Sequence, residues 1–137
     1  MSPNLLSLMK HRRSIRKYTE QQVALEDLQY ILDAGLYAPN AGGGQRSMLV
    51  AVHNPTEVER LGRLNVACMR RDNLIGGHVS VDQPSVIDDP SIKSGFYGAP
   101  TMVVVFAQRD FLYSIPDAFC SAENMVLAAT EKGISSC

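Results

Sequence analysis

Residues 117–132 offer a helix with almost no polar face, since Ala118, Phe119, Ala122, Met125, Val126, Ala128 and Ala129 are spread around it. Such a helix must be covered on most sides, because an all-round apolar cylinder is unstable at a surface. Gly133 follows it as a natural left-handed terminator. A chain of 137 residues has few other elements with which to cover so much apolar surface. The pattern therefore predicts burial partly against a partner subunit.

The remaining elements are set around that helix. Residues 101–107 (TMVVVFA) form a continuous β-branched run, as in a strand covered on both faces. Residues 48–53 (MLVAVH) are apolar and bounded by turn signals, which predicts a second buried strand. Asn54-Pro55 then supplies an N-cap and a proline at the first helical position. The helix it opens carries Val58, Leu61, Leu64 and Cys68 as its apolar stripe. Earlier, residues 4–10 predict a short helix with Leu5, Leu6 and Met9 on one face. Leu25, Leu28, Ile31 and Leu32 recur at helical spacing, with Glu26 and Asp27 near the N-terminal end where the dipole favours them. Residues 72–90 form a polar excursion without periodicity, the kind of long loop that often carries function. The order helix, helix, strand, helix, strand, helix implies an α+β or α/β layer fold.

Composition excludes several classes. Hydrophobic residues make up 45% and charged residues 20%, which fits an ordinary globular chain rather than a disordered one. The net charge of −1 provides no global basic field to steer the protein to nucleic acid or to an anionic membrane. Cys68, Cys120 and Cys137 form neither a disulfide framework nor a CxxC metal site, and His11, His53 and His78 lack ligand spacing. Free thiols, the lack of a membrane-length apolar run and the lack of a signal-peptide pattern predict a cytoplasmic protein. No GxSxG or GxGxxG motif supports a hydrolase elbow or a Rossmann site.

Against this neutral background two segments carry chemistry. Arg12-Arg13-Ser14-Ile15-Arg16 place three guanidiniums and a hydroxyl within a few residues. Guanidinium forks suit phosphate, and serine adds a short neutral donor, so the group reads as an anion clamp for a small ligand. Ala38-Pro39-Asn40-Ala41-Gly42-Gly43-Gly44-Gln45 breaks the preceding helix. Three consecutive glycines lose too much backbone entropy to form a helix or a central strand.

Together these segments resemble the nitroreductase family of FMN-dependent oxidoreductases. The likeness rests on Arg12 to Tyr18, on Ala38 to Gln45, on Gly98-Ala99-Pro100 running into its strand, and on Gly133-Ile134-Ser135-Ser136-Cys137. It implies an α+β fold with a central, mostly antiparallel or mixed sheet flanked by helices, assembled as an intertwined homodimer that shares its FMN sites. By that resemblance Arg12 reaches the FMN phosphate, and Arg13 and Ser14 bind nearby. Arg16 lies by the pyrimidine edge of the isoalloxazine, where a cation stabilises the reduced ring. Pro39, Asn40, Ala41, Gly43 and Gln45 belong to the loop lent to the partner's flavin. Two positions depart from the family pattern, which commonly has Ser where Asn40 stands and Asn where Gly43 stands.

The resemblance further implies a ping-pong cycle in which hydride passes from NAD(P)H through flavin N5 to nitroaromatic or quinone-type acceptors. No catalytic side chain is then required, no metal, no nucleic acid and no membrane. Family members usually continue into a further strand and a C-terminal extension, so residues 1–137 are expected to form a single domain lacking those parts. FMN affinity and dimer stability should both be lower for it. A catalytically incomplete flavin-binding or storage protein is the alternative, and a small nucleic-acid binder using Arg12, Arg13 and Arg16 is a second. Asn124, inside the apolar helix, is expected to be a satisfied core amide, and Phe96 and Tyr97 to serve packing.

Overall fold

The computed structural model describes residues 4–71, 89 and 91–137. They fall into two compact units. One comprises the described residues within Met1–Ile15, Gln22–Ala51 and Val103–Cys137, the other those within Arg16–Gln21 and Val52–Met102. The polar excursion at 72–90 lies outside the described residues apart from Asp89.

The first unit is built on two packed helices, α2 (Leu25–Leu36) and α4 (Ser114–Glu131). Ile31 of α2 and Met125, Ala128 and Ala129 of α4 form the buried cluster, and Leu32, Ala34, Leu49, Val103, Val105 and Ile134 pack around it. Strand β1 (Ser47–Val52) pairs with β2 (Met102–Ala107), and α1 (Leu5–His11) lies against α4. The Asn4 side chain caps α1, its Oδ1 accepting from Ser7 N–H at 2.9 Å. Asn124 is the core amide expected of it. Its Nδ2 donates to the Ala34 carbonyl at 3.0 Å and ties α4 to the last turn of α2.

Helix α4 ends as its glycine predicts. Gly133 has φ 71°, Gly133 N–H donates to Thr130 O at 3.1 Å, and Ile134 N–H reaches back to Ala129 O at 2.8 Å. These two bonds form a Schellman closure, with Ile134 folded onto the core. The helix begins earlier than the sequence suggests, at Ser114, because Pro116 is tolerated in a first turn whose N–H groups need no intrahelical partner.

Two elements are covered on one side only within the chain. Helix α4 buries only one side within the chain, and Phe119 and Ile115 remain 72% and 70% exposed. Strand β1, expected to be buried, is covered on one face only. Leu49 packs on the core while Met48 and Val50 are exposed, because α2 and α4 cover one face only.

In the second unit, α3 (Pro55–Arg71) opens on the predicted cap, with Glu57 N–H donating to Asn54 Oδ1 at 3.1 Å. Its buried line is Val58, Gly62 and Val66, whereas Leu64 and Cys68 of the predicted stripe are exposed. The cause is Gly62. Gly95 N–H donates to the Gly62 carbonyl at 3.0 Å, and a Cβ on Gly62 would run into the Ser94 hydroxyl. The segment at 94–96 therefore lies directly on the helix and moves its buried face to the i, i+4, i+8 line.

Candidate functional site

The basic segment leaves α1 in non-helical backbone. Arg12 caps α1 with φ −52° and ψ 137°, and its N–H donates to Leu8 O at 2.9 Å. Ser14 then forms a parallel bridge with Ser136, and Ile15 N–H donates to the Ser136 carbonyl at 3.0 Å. In extended backbone alternate residues share a side, so Arg12 and Ser14 project together and Arg13 projects opposite. Arg13 accordingly folds back, its Nη1 donating to the carbonyls of Lys10 at 2.9 Å and Arg12 at 2.8 Å. It caps the C-terminal end of α1, where a cation offsets the negative end of the helix dipole. The sequence groups Arg13 with the anion donors; in this structure its guanidinium is turned to the end of α1.

Arg16 belongs to the second unit, its guanidinium 6.0 Å from the centroid of the Tyr97 ring. Tyr97 and Gly98 both adopt left-handed backbone, φ 55° and 75°. The Phe96 carbonyl accepts from Ala99 N–H at 2.9 Å and closes this turn ahead of Pro100. A bulky residue at positive φ is strained, and such strain is typical of binding and catalytic segments.

The glycine segment contains one 3₁₀ turn, Ala41–Gly43. Gly42 and Gly43 both have φ 62°, and a Cβ on either would meet nothing within 4 Å, so the turn presents bare backbone. Asn40 staples its base: Oδ1 accepts from Gln45 N–H at 2.8 Å and Nδ2 donates to Ala38 O at 3.3 Å. Both polar atoms of Asn40 are thus used inside the segment. Pro39 and Gln45 are exposed, and Gln45 takes φ 44°.

Three residues that sequence reasoning missed hold this turn. Ala41 N–H donates to the buried carboxylate of Asp117, at 3.1 Å to Oδ1 and 3.3 Å to Oδ2. The Ala41 carbonyl accepts from Arg46 Nη1 at 3.1 Å, and the Arg46 guanidinium stacks 4.4 Å from the Phe111 ring centroid. A signal for Asp117 was present, namely an acid beside a proline at the head of an otherwise apolar helix. No sequence pattern announced the reach of Arg46. Among the described residues no hydrogen bond joins Arg12, Arg13 or Ser14 to the Pro39–Gln45 segment.

The model of the nitroreductase family matches residues 9–137, which takes in the basic segment, the glycine turn and the turn before Pro100. The chain belongs to the nitroreductase family. A nitroreductase with bound FMN from Bacteroides fragilis is 31% identical, with a TM-score of 0.79 over 98% of this chain and 68% of its own. An FMN-dependent nitroreductase of Clostridium difficile is 28% identical, with a TM-score of 0.73 over 96% of this chain and 64% of its own. A second one from that organism shares the fold at 22% identity, with a TM-score of 0.78 over all of this chain and 60% of its own. This nitroreductase-family chain therefore spans about two thirds or less of the length of these structures. No curated protein shows significant similarity to it. Its composition of helices plus a small sheet is the α+β nitroreductase-like fold that the resemblance implied.

Proposed function

We propose that this member of the nitroreductase family is an FMN-dependent oxidoreductase acting as a homodimer, with NAD(P)H as donor and a nitroaromatic or quinone-type molecule as acceptor. The observation that carries the proposal is the family match over residues 9–137, which includes the basic segment, the glycine turn and the strained turn before Pro100 together. FMN, when bound, supplies the hydride-accepting and hydride-donating centre. The donor set of the chain suits that group. Arg12 and Ser14, half-buried and on one side of extended backbone, offer a charged fork and a neutral hydroxyl to a phosphate. The bare backbone of Gly42 and Gly43 admits a flat ring at close range, as no side chain intervenes. Arg16 holds a cation beside Tyr97, suited to the edge of a ring system that gains negative charge on reduction. The exposed apolar side chains of α1 and α4 support self-association.

Reconstitution with FMN, followed by anaerobic titration with NADH or NADPH, tests the proposal. The flavin absorbance should bleach and then return when a quinone is added. A chain that takes up no FMN would overturn it. One that binds FMN yet oxidises neither nucleotide with any such acceptor would favour a flavin-storage role.

A further inference from the structure

Asp117 is buried, 7% exposed, yet the site proposed above assigns it nothing. An ionised carboxylate withdrawn from water is costly unless it is paired or hydrogen-bonded. Among the described residues no cation lies within ion-pairing distance of Asp117. Among the described residues its hydrogen-bond partner is the peptide N–H of Ala41, which both carboxylate oxygens accept. The first turn of α4, with its positive dipole end, makes the charge tolerable there. The same peptide residue is held from its other side, since the Ala41 carbonyl accepts from Arg46, itself fixed over Phe111. Immediately beyond this doubly held residue, Gly42 and Gly43 swing into left-handed backbone.

We propose that Asp117 is the positioning residue of the glycine turn. By holding the Ala41 N–H it sets where Gly42 and Gly43 stand, and hence how closely the turn approaches the flavin. This inference rests on the flavin reading given above. It also changes the part played by Ala41, whose N–H and carbonyl are both engaged within the chain. Ala41 is the anchor of the turn, and the bare peptides after it face the ring.

The test uses the full chain and compares Asp117→Ala, Asp117→Asn, Ala41→Pro and a control, Ser121→Ala. Ser121 is a second buried polar residue of α4, and among the described residues no hydrogen bond joins its side chain to the turn. Asp117→Ala should weaken FMN binding about tenfold, as expected for loss of one charge-assisted hydrogen bond expressed in binding. Asp117→Asn keeps an acceptor oxygen and should stay within about threefold of the unaltered chain. Ala41→Pro removes the donor instead. The extended backbone of Asn40, φ −145° and ψ 155°, suits a residue before proline, and the opening position of the 3₁₀ turn tolerates it. It should match the loss in Asp117→Ala, and the double variant should be no worse than either single one. Amide hydrogen exchange at Ala41 should quicken in Asp117→Ala and not in Ser121→Ala.

Unchanged FMN affinity in Asp117→Ala, additive losses in the double variant, or an equal loss in Ser121→Ala would each overturn the inference. If Asp117→Ala fails to fold, Ala41→Pro against Asp117→Asn decides: a loss only in the former supports it, and unchanged affinity in the former defeats it. Absence of FMN binding by the unaltered chain would overturn the flavin reading instead. The exchange rate at Ala41 would still show whether Asp117 holds the turn.

Discussion

Met125 of α4 fits against the bare Cα of Gly35 in α2. A Cβ built on Gly35 would lie 2.8 Å from Met125 Cγ and 2.9 Å from Leu49 Cδ1. The contact joins the two core helices and the strand at one point. Gly35→Ala would gain about 1 kcal/mol of helix propensity, but overpacking a buried site costs about 1–3 kcal/mol. The net expectation is destabilisation by about 1 kcal/mol. Met125→Ala alone should cost about 2–5 kcal/mol. In that background Gly35→Ala should become neutral or stabilising, because the space it needs has been vacated. Urea unfolding of the four chains measures the sign change. Additive effects would mean that the two side chains do not compete for this volume.

Much of this was legible because the signals were local. Asn54-Pro55 and Gly133 each mark a helix end by backbone chemistry that needs no tertiary context, and each marks it in the structure. The triple glycine announced a turn for the same reason. The buried stripe of α3 was misjudged because a contact from distant sequence, Gly95 on Gly62, selects which face is covered. Arg12 and Arg13 are neighbours in sequence, and the extended backbone at Ser14 is what turns their side chains to opposite sides. Asp117 was visible as a first-turn acid, while its bond to Ala41 spans 76 residues, a distance that no periodicity reports.

Gly133 offers a cleaner backbone experiment. Its φ is 71° and a Cβ there would meet nothing within 4 Å, so Gly133→Ala introduces strain without a clash. The left-handed region costs a non-glycine residue about 1–2 kcal/mol, and the Schellman bonds to Ala129 and Thr130 require it. A loss of about 1 kcal/mol in denaturant unfolding is expected. No loss would imply that the helix end refolds into another cap.

Alkaline pH should loosen the α2–α4 pair. Tyr30 donates to Glu131 Oε2 at 2.6 Å, and the hydrogen bond to this carboxylate, aided by its charge, raises the Tyr30 pKa above 10.0. Lys132 lies 4.6 Å from the Tyr30 ring centroid and pairs with Asp27 at 3.1 Å, a bond that raises its own pKa above 10.5. For both groups the folded state favours the protonated form. Their contribution is therefore complete below the unfolded pKa values and is lost as pH rises through the folded ones. Stability should be flat across neutral pH and fall above about pH 10. Tyr30→Phe keeps the ring under Lys132 but should flatten part of that alkaline fall. A tyrosine absorbance titration in which Tyr30 ionises at the ordinary value would refute the assignment.

The exposed side chains of α4 test the proposed assembly. Phe119 and Ile115 present a large apolar surface on the helix whose sequence predicts burial partly against a partner subunit. Sedimentation at micromolar concentration should show a dimer, and Phe119→Glu should shift it toward monomer by placing a charge in a dry contact. A monomer for the unaltered chain would remove the shared-site proposal.

The three arginines of the basic segment should separate in function even though they are adjacent in sequence. Arg12 shares a side with Ser14, so Arg12→Ala should weaken FMN binding by about 1.5–3 kcal/mol, the range of a hydrogen bond to a charged group. Arg13 is committed to the Lys10 and Arg12 carbonyls, and Arg13→Ala should change FMN affinity by less than about 0.5 kcal/mol while loosening the end of α1. Riboflavin provides the internal control, because it carries the ring without the phosphate. The deficit of Arg12→Ala should vanish when riboflavin replaces FMN, whereas a general folding defect would persist with both. Arg16, beside Tyr97, should not follow either pattern: Arg16→Ala should lower the flavin midpoint potential, since a cation near the ring favours the reduced anion. Equal fluorescence-titration losses for Arg12→Ala and Arg13→Ala, or a potential unmoved by Arg16→Ala, would show that the segment acts as an undifferentiated basic patch.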